Sequence, residues 1–198
     1  MKPILIGLAG LARSGKDTAA QHLVNNHNFQ RYAFADPLRD GLMHILNLSP
    51  CDFEGDRKEL PLPAINRSPR ELMQLLGTEW GRNLVHPDLW LILAAQNLDL
   101  LARTHDSAQG FVVSDLRFEN EAAFIRDRGG IVVHLKRPDA KNVNPHSSEA
   151  GIAYQNGDWM LTNNSTVAAL SWAISCWLAA IKGGAKPQAM HCGSLTIA

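Results

Sequence analysis

The fold is decided near the start of the chain, in the stretch Ile4-Leu5-Ile6-Gly7-Leu8-Ala9-Gly10-Leu11-Ala12-Arg13-Ser14-Gly15-Lys16-Asp17-Thr18. An apolar strand runs into a glycine-rich turn, and the residues from Thr18 onward have a helical pattern. Gly10 and Gly15 can adopt backbone conformations that a side chain forbids. The N–H groups of such a turn converge at the start of the helix, where phosphate oxygens bind. The stretch therefore predicts a phosphate-binding loop.

The spacing of this loop, Gly10-x-x-x-x-Gly15-Lys16, matches the P-loop motif, in which the lysine lies over the β- and γ-phosphates of a nucleotide. The preceding strand and the following helix are the context that the motif requires. One position departs from the usual pattern, because Asp17 stands where Ser or Thr normally holds Mg²⁺, and Thr18 follows it. The alternative, a glycine-rich turn with an exposed lysine, explains the spacing less well.

Length and composition bound the remaining possibilities. The 198 residues fit one domain, which we place at 1–184, followed by a tail at 185–198. Nineteen basic and nineteen acidic residues cancel, so no global charge attracts a nucleic-acid polymer or a membrane surface. The longest apolar stretch, 167–181, is too short for a membrane span. Three scattered cysteines and the lack of a signal peptide predict a reducing cytoplasm.

Apolar runs alternate with helical patterns along the chain, which predicts a three-layer α/β/α fold. We expect a five-stranded, mostly parallel sheet with helices on both faces. The predicted strands are 4–8, 31–34, 111–114, 131–135 and 159–161, and the predicted helices are 18–25, 38–46, 69–80, 89–103, 119–128 and 166–181. Two segments without periodicity, 49–68 and 137–158, are either functional loops or solvated linkers.

The predicted strand at 111–114 is followed by Asp115, and Arg117 comes two residues later. Because carboxyl ends of parallel strands meet at the ligand crevice, Asp115 is a candidate for holding Mg²⁺ through water or for orienting a phosphoryl acceptor. Its alternative role is to cap the next helix. Arg117 can bind a phosphate with two hydrogen bonds, or it can form an ion pair with Glu121; both can hold together.

The predicted helix at 69–80 carries two glycines on one face, Gly77 and Gly81 when the pattern is extended. Each glycine costs about 1 kcal/mol relative to alanine in a helix interior, so the pair needs a reason. Either a flat ligand approaches this face or another helix packs on it. The opposite arc is apolar and consists of Leu72, Met73, Leu75, Leu76 and Trp80.

Polar residues in and after this helix are candidates for binding a phosphorylated acceptor. Arg70 offers a phosphate clamp, and Gln74 offers an amide that can read a base edge. Arg82 is a second phosphate candidate, although a cation also suits the end of a helix.

Further candidates follow predicted strands or begin predicted helices. Asp36 is predicted as the N-cap of a helix with Pro37 after it, and can also contact an acceptor hydroxyl. Asp88 is predicted as a second N-cap, and Trp90 as a wall of the acceptor site. Asn163 follows the last predicted strand, where an adenine ring would lie, or helps to cap the final helix.

Together these motifs resemble the phage-type deoxynucleoside monophosphate kinases, part of the P-loop kinase family that includes adenylate kinase and dephospho-CoA kinase. The resemblance spans about 4–166. It rests on Ser14-Gly15-Lys16-Asp17-Thr18, Phe34-Ala35-Asp36-Pro37-Leu38, Leu76-Gly77-Thr78-Glu79, Ser114-Asp115-x-Arg117-Phe118-x-Asn120-Glu121, Arg137-Pro138 and His146-x-Ser148-Glu149. Since the Gly-Lys-Asp ending is shared with that family, Asp17 does not indicate an inactive site.

The resemblance implies ATP as phosphoryl donor, a deoxynucleoside monophosphate as acceptor, Mg²⁺ held mostly by phosphates and water, and a homodimer. It also implies an acceptor-binding excursion at about 37–88 and a lid at about 137–158. Rival interpretations are a kinase for another phosphorylated acceptor, such as phosphomevalonate, and a non-catalytic ATP sensor.

Motifs and resemblance together give the site residues. The predicted catalytic residues are Arg13, Lys16, Asp115, Arg117 and Arg137. The predicted ATP-binding residues are Gly10, Ala12, Arg13, Ser14, Gly15, Lys16, Asp17, Thr18 and Asn163. The predicted acceptor-binding residues are Asp36, Arg70, Gln74, Gly77, Thr78, Arg82, Asp88, Trp90, Glu121 and Glu149. Asp17 and Asp115 are the predicted Mg²⁺ ligands, through water.

Overall fold

The computed structural model describes residues 3–138, 151–187 and 189–191. These residues form two compact units. The first unit combines the residues up to Tyr32 with those from Asn97 onward, and the second is Ala33–Gln96. The predicted excursion at 37–88 falls within the second unit. None of the helices in the described ranges combines the length and the apolar character needed to cross a membrane.

The first unit is built on a parallel sheet of six strands. The strands are β1 (Ile4–Ala9), β2 (Phe29–Tyr32), β3 (Gly110–Leu116), β4 (Ile131–Lys136), β5 (Trp159–Thr162) and β6 (Ala189–His191). Their order in the sheet is β2-β3-β1-β4-β5-β6. The five predicted strands are confirmed. The sixth was not predicted, because three residues in a tail without an apolar run give no periodic signal.

The helices also follow the predicted order. They are α1 (Lys16–His27), α2 (Asp36–Leu46), α3 (Pro69–Gln74), α4 (Leu89–Thr104), α5 (Glu119–Asp127) and α6 (Val167–Lys182). The second strand was placed two residues too late. Ala33 and Phe34 are buried, but the ladder between β2 and β3 ends at the pair Tyr32↔Val113. Their apolar character therefore reflects burial and not strand pairing.

The core of the first unit lies between the sheet and two helices. Leu23 of α1 and Trp177 of α6 are fully buried in one cluster with Leu8 and Val133 of the central strands. On the opposite face α5 packs on β1, where a side chain at Gly7 would collide with Leu116. Helices thus cover both faces of the sheet, as predicted. The last four residues of β1 are buried, and the strand ends at Ala9 directly before the glycine-rich loop, with β4 paired beside it at His134.

The second unit differs from the prediction in one helix. After α3 the chain continues as a π-helical stretch, Leu75–Val85, with His86 N bonded to the carbonyl of Gly81 five residues earlier. A π-helix has more residues per turn than an α-helix, so the predicted faces do not hold beyond α3. Leu75 and Trp80, which the α-helical pattern placed on the apolar arc, are about half exposed.

A polar cluster fixes the segment that leads into β5. Asp158 is buried and accepts two hydrogen bonds from Arg126, at 3.0 and 2.7 Å, and one from Gln155 N at 2.9 Å. His134 Nε2 lies 3.0 Å from the same carboxylate. Burial raises the pKa of a carboxyl, but the guanidinium and the other partners outweigh it and hold the pKa of Asp158 below its ordinary value. Asp158 and Arg126 therefore remain charged at neutral pH.

Candidate active site

The loop between β1 and α1 contains three residues in the left-handed region of backbone space. They are Gly10 at φ 143°, Arg13 at φ 63° and Gly15 at φ 105°. Gly15 is the N-cap of α1, and Ser14 N donates to the carbonyl of Leu11 at 3.2 Å. The loop therefore has the compact, strongly curved backbone that the sequence pattern predicts, and it ends at a helix N-terminus.

Both glycines of the loop are required for two reasons: their φ values are positive, and neighbouring atoms leave no room for a side chain. A side chain at Gly10 would overlap the carbonyl of Leu135 and would lie 2.8 Å from Ser14 Oγ. A side chain at Gly15 would lie 2.7 Å from Asn163 Nδ2 and 3.0 Å from Leu170 Cδ2. Only glycine fits either position.

The ammonium of Lys16 lies over the loop. Its Nζ donates to the carbonyls of Gly10 at 2.7 Å and Leu11 at 2.9 Å. Asp17 is exposed in the first turn of α1, where a carboxylate interacts favourably with the helix dipole. The lysine charge is thus held at the point where the motif places the β- and γ-phosphates.

A cavity of about 390 Å³ opens on this loop. It is lined by Arg13, Gly15, Lys16, Asp17, Thr18, Arg137, Asn163, Ser165, Thr166, Val167 and Leu170. The structure thus brings most of the predicted ATP-binding residues and the exposed Arg137 to one cavity. Thr166, Val167 and Leu170 were missed, because nothing local in the sequence indicates that the start of α6 faces the loop.

Asn163 lines the cavity and is bonded to the loop, while its predicted position near the adenine ring stays a prediction. It is buried, at 5% exposed, and its Nδ2 donates to the carbonyl of Ser14 at 3.0 Å. The interpretation that Asn163 caps the final helix is wrong. The cap is Thr166, whose side chain accepts from Ala169 N at 3.2 Å.

Asp115 lies within a bulge at the end of β3. The pairs Gly7↔Val113 and Ala9↔Leu116 show that β3 has one more residue than β1 over this stretch. Bulges of this kind re-aim side chains and are common next to active sites. Because Phe118 is the N-cap of α5, the alternative that Asp115 caps this helix is wrong.

Glu121 holds the turn that carries Arg117. Its carboxylate is buried, at 3% exposed, and accepts from the backbone N–H groups of Arg117 at 2.7 Å and Phe118 at 3.1 Å. Charge-assisted bonds to backbone donors fix the path of the chain at the strand end. The sequence predicted only an ion pair between the side chains of Glu121 and Arg117, and it did not predict these hydrogen bonds to backbone N–H groups.

Sequence reasoning missed one arginine at this strand end. Arg31 of β2 donates from Nε to Ser114 Oγ of β3 at 3.1 Å. The pairing of β2 with β3 brings the two residues together across 83 positions of sequence. No local motif connects them, so only the strand order could have identified Arg31.

Asp36 is not a helix N-cap, which corrects the prediction by one position. Ala35 is the N-cap, and Asp36 is the first residue of α2. Its carboxylate accepts from Ala33 N at 3.0 Å and lies 3.3 Å from Arg39 Nη1. Asp88 directly precedes α4, and its carbonyl accepts from Ile92 N at 3.0 Å.

The three polar candidates of the second unit have different surroundings. Arg70 forms an ion pair with Glu59 through Nε at 2.7 Å. Arg82 donates to the carbonyl of Pro87 at 3.2 Å. Within the part of the chain that the structure describes, the buried Nε2 of Gln74 has no hydrogen-bond partner. A buried donor without a partner is costly, and a ligand acceptor would satisfy it.

Packing inside the second unit accounts for both glycines of the π-helical stretch. A side chain at Gly81 would overlap the ring of Trp90, with 2.8 Å to Cε2, and one at Gly77 would lie 2.7 Å from Leu38 Cδ2. Trp90 is buried and donates from Nε1 to the carbonyl of Gly77 at 2.7 Å. Thr78 lies between these glycines, and Glu149 lies outside the described residues.

The oxygen donors near the loop fit Mg²⁺. Asp17 and Thr18, which carry a carboxylate and a hydroxyl, line the cavity. Across the described ranges, no three His, Cys, Asp or Glu side chains form a metal-binding group. An arrangement with few protein ligands suits Mg²⁺, which usually retains waters and binds substrate phosphates.

Comparison with known proteins agrees with this geometry. The sequence matches the family described as deoxynucleotide monophosphate kinase over residues 4–60 and 63–174. A protein of Acanthamoeba polyphaga mimivirus bearing the same kinase name is 31% identical, covering 87% of this chain and 95% of its own. The deoxynucleotide monophosphate kinase of Enterobacteria phage T4 is 26% identical, covering 82% and 93%. The deoxynucleoside-5'-monophosphate kinase of Escherichia phage T5 is 27% identical, covering 75% and 85%. The chain therefore belongs to the deoxynucleotide monophosphate kinase family.

Proposed function

We propose that this protein transfers the γ-phosphoryl group of ATP to the α-phosphate of a deoxynucleoside monophosphate, giving ADP and the diphosphate. The observation that carries the proposal is the glycine-closed loop with Lys16 over it, in a chain that matches the kinase family along most of its length. The phosphorylated acceptor is supported by the names of the phage and mimivirus relatives.

The donor side works by positioning and charge neutralisation, because phosphoryl transfer needs little covalent help from the protein. Backbone N–H groups of the loop hold the phosphates, and Lys16 neutralises charge on the β- and γ-phosphates. Arg13 and Arg137, which line the same cavity, neutralise charge on the group in transfer. Asp115 orients the acceptor oxygen, and Arg117, on the turn fixed by Glu121, adds a further positive charge.

Mg²⁺ would supply charge neutralisation between the β- and γ-phosphates. Asp17, Thr18 and Asp115 would hold it, chiefly through water. Asp17 and Thr18 line the cavity, which supports their part in this assignment.

Most of the proposed acceptor residues belong to the second unit. Arg70 and Arg82 hold the acceptor phosphate, and Gln74 donates its unpartnered Nε2–H to the base. Glu59 supports Arg70 by fixing one edge of its guanidinium. The other proposed acceptor residues are Asp36, Gly77, Thr78, Asp88, Trp90, Glu121 and Glu149.

Closure of the segment at 49–68 over the substrates would exclude water and limit ATP hydrolysis. Residues 139–150 of the predicted lid at 137–158 lie outside the described residues. We place the enzyme in a cytoplasm and propose that it is a homodimer. The homodimer is what the resemblance to the phage-type kinases implies. Light scattering on the purified protein measures the assembly state directly.

The test is an assay of ADP release with ATP·Mg²⁺ and a panel of acceptors. The panel contains dTMP, dGMP, dCMP, dAMP, their ribose forms and phosphomevalonate. We expect turnover with at least one deoxynucleotide, and loss of roughly 100-fold or more in kcat in Lys16→Met. The matched control is Lys186→Met, a substitution at an exposed lysine outside the site. Turnover with phosphomevalonate alone, or ATP binding without any turnover, would refute the proposal.

A further inference from the structure

The peptide bond between Ser14 and Gly15 is held from a distant part of the chain. Asn163, 149 residues further along at the end of β5, donates from Nδ2 to the carbonyl of Ser14 at 3.0 Å. Both residues are buried, with Ser14 1% and Asn163 5% exposed. A hydrogen bond in such surroundings is expensive to remove, because both polar groups would be left without solvent.

This bond sets the direction of the next N–H group. A trans peptide is planar, so its C=O and its N–H point in opposite directions. Fixing the carbonyl of Ser14 on Asn163 therefore turns the N–H of Gly15 away from Asn163. The N–H of Gly15 belongs to the loop that precedes Lys16 and is one of the donors that a phosphate-binding loop needs.

The same peptide is intrinsically able to flip. Gly15 has φ 105°, and glycine accepts positive and negative φ about equally well, so its own conformational preference does not select one orientation. A flipped peptide would present a carbonyl oxygen where the N–H had been, and a carbonyl repels phosphate. The side chain of Ser14 does not prevent this, because its buried Oγ has no hydrogen-bond partner in the described part of the chain.

We propose that Asn163 is a positioning residue that locks the Ser14–Gly15 peptide with its N–H available to the phosphates. The inference deepens the proposed ATP site and rests on it. Asn163 and Leu170 also restrict the space around Gly15, since a Cβ at this position would lie 2.7 Å from Asn163 Nδ2 and 3.0 Å from Leu170 Cδ2. The β5–α6 turn that carries Asn163 also lines the 390 Å³ cavity. The bond from Asn163 therefore connects this part of the cavity wall to the phosphate-binding loop.

The test compares ATP with inorganic tripolyphosphate, both titrated calorimetrically with Mg²⁺ into the full chain. Asn163→Leu keeps the side-chain size but removes the donor without adding charge. We expect both ligands to bind roughly 10-fold or more weakly, by the same factor, with the KM for the deoxynucleotide unchanged. If Asn163 contacts adenine instead, only ATP binding falls. If its role is purely structural, the thermal midpoint and the active fraction fall, while both dissociation constants remain unchanged. Either of those outcomes overturns the proposal.

A second pair of variants guards against failure of Asn163→Leu to fold. Asn163→Asp is nearly isosteric and places an oxygen against the carbonyl of Ser14, so the expected loss for both ligands is at least as large. Asn164→Asp puts the same charge on the exposed neighbouring residue, and we expect a change of less than about twofold. An equal loss in both aspartate variants would mean that charge alone acts, which contradicts the lock.

The outcome is separable from that of the proposed function. A wild-type protein that binds both ligands but phosphorylates no deoxynucleotide refutes the function and leaves the lock testable by the same titrations. A wild-type protein that binds neither ligand refutes both.

Discussion

Two pairs of glycines in this protein serve different purposes. Gly10 and Gly15 of the phosphate-binding loop have positive φ and no room for a side chain. Gly77 and Gly81 of the π-helical stretch are not among the residues with positive φ, and their space is filled by Leu38 and Trp90. In the loop the backbone is the functional group, so glycine is required by the function. In the helix, glycine makes room for a neighbouring side chain.

The difference between the two glycine pairs explains why the phosphate-binding loop could be predicted from the sequence more fully than the role of the π-helical glycines. A site made of backbone groups has a fixed local spacing, and the spacing identified the loop. A site made of side chains depends on which elements meet, and the helical pattern left ligand and packing open for the second pair. Alanine substitutions test the contrast, since the same change should act on binding in one pair and on stability in the other.

The largest expected effect is that of Gly15→Ala. The new side chain must adopt φ 105° and would lie 2.7 Å from Asn163 Nδ2. We expect ATP affinity to fall roughly 100-fold, measured by calorimetry. Gly184→Ala is the control, because Gly184 also has positive φ, at 79°, but open space around it and no part in the loop. Normal ATP binding by Gly15→Ala would break the comparison.

Gly81→Ala should act on stability instead. Overlap with the buried ring of Trp90 is expected to lower the free energy of unfolding by about 1–3 kcal/mol, in part offset by better helix propensity. Urea denaturation measures the change. Affinity for ATP should be unaltered in the folded protein, and a loss of ATP binding at unchanged stability would contradict the packing explanation.

Gln74→Met tests the proposed acceptor site, which consists of side chains and not of backbone groups. Removing an unpartnered buried donor should leave the free energy of unfolding unchanged or slightly higher. The KM for the deoxynucleotide should rise roughly 5- to 20-fold with the KM for ATP unchanged. Gln96→Met, at an exposed position of α4, is the control. If Gln74→Met destabilises the protein but leaves both KM values unchanged, Gln74 has no acceptor role.

We expect the smallest effect at Gly41, a glycine that has neither a positive φ nor a close neighbouring side chain. Gly41 lies inside α2, and a side chain there would meet nothing within 4 Å. We therefore expect Gly41→Ala to raise the free energy of unfolding by about 0.5–1 kcal/mol. Destabilisation by this substitution in urea denaturation would reveal a constraint on Gly41 that the structure does not contain.

Much of the fold followed from the sequence because its signals are local. Five strands, six helices and the loop all have short-range periodicity or spacing. Two features that were not predicted depend on long-range contacts, because the bonds from Arg31 to Ser114 and from Asn163 to Ser14 join residues that no local pattern links. The π-helical geometry after Gln74 was missed because an apolar pattern at α-helical spacing does not indicate hydrogen bonds five residues apart. The cap of α2 was wrong by one residue, which is typical of helix boundaries.

The central claim is that the loop from Gly10 to Lys16 binds the phosphates of ATP. Calorimetric titration of the wild-type protein and of Lys16→Met with ATP·Mg²⁺ tests it most directly. The account predicts one ATP site per chain in the wild type and a large loss of affinity in Lys16→Met, with both proteins equally folded. Absence of heat in the wild type, or equal affinity in the two proteins, would contradict it.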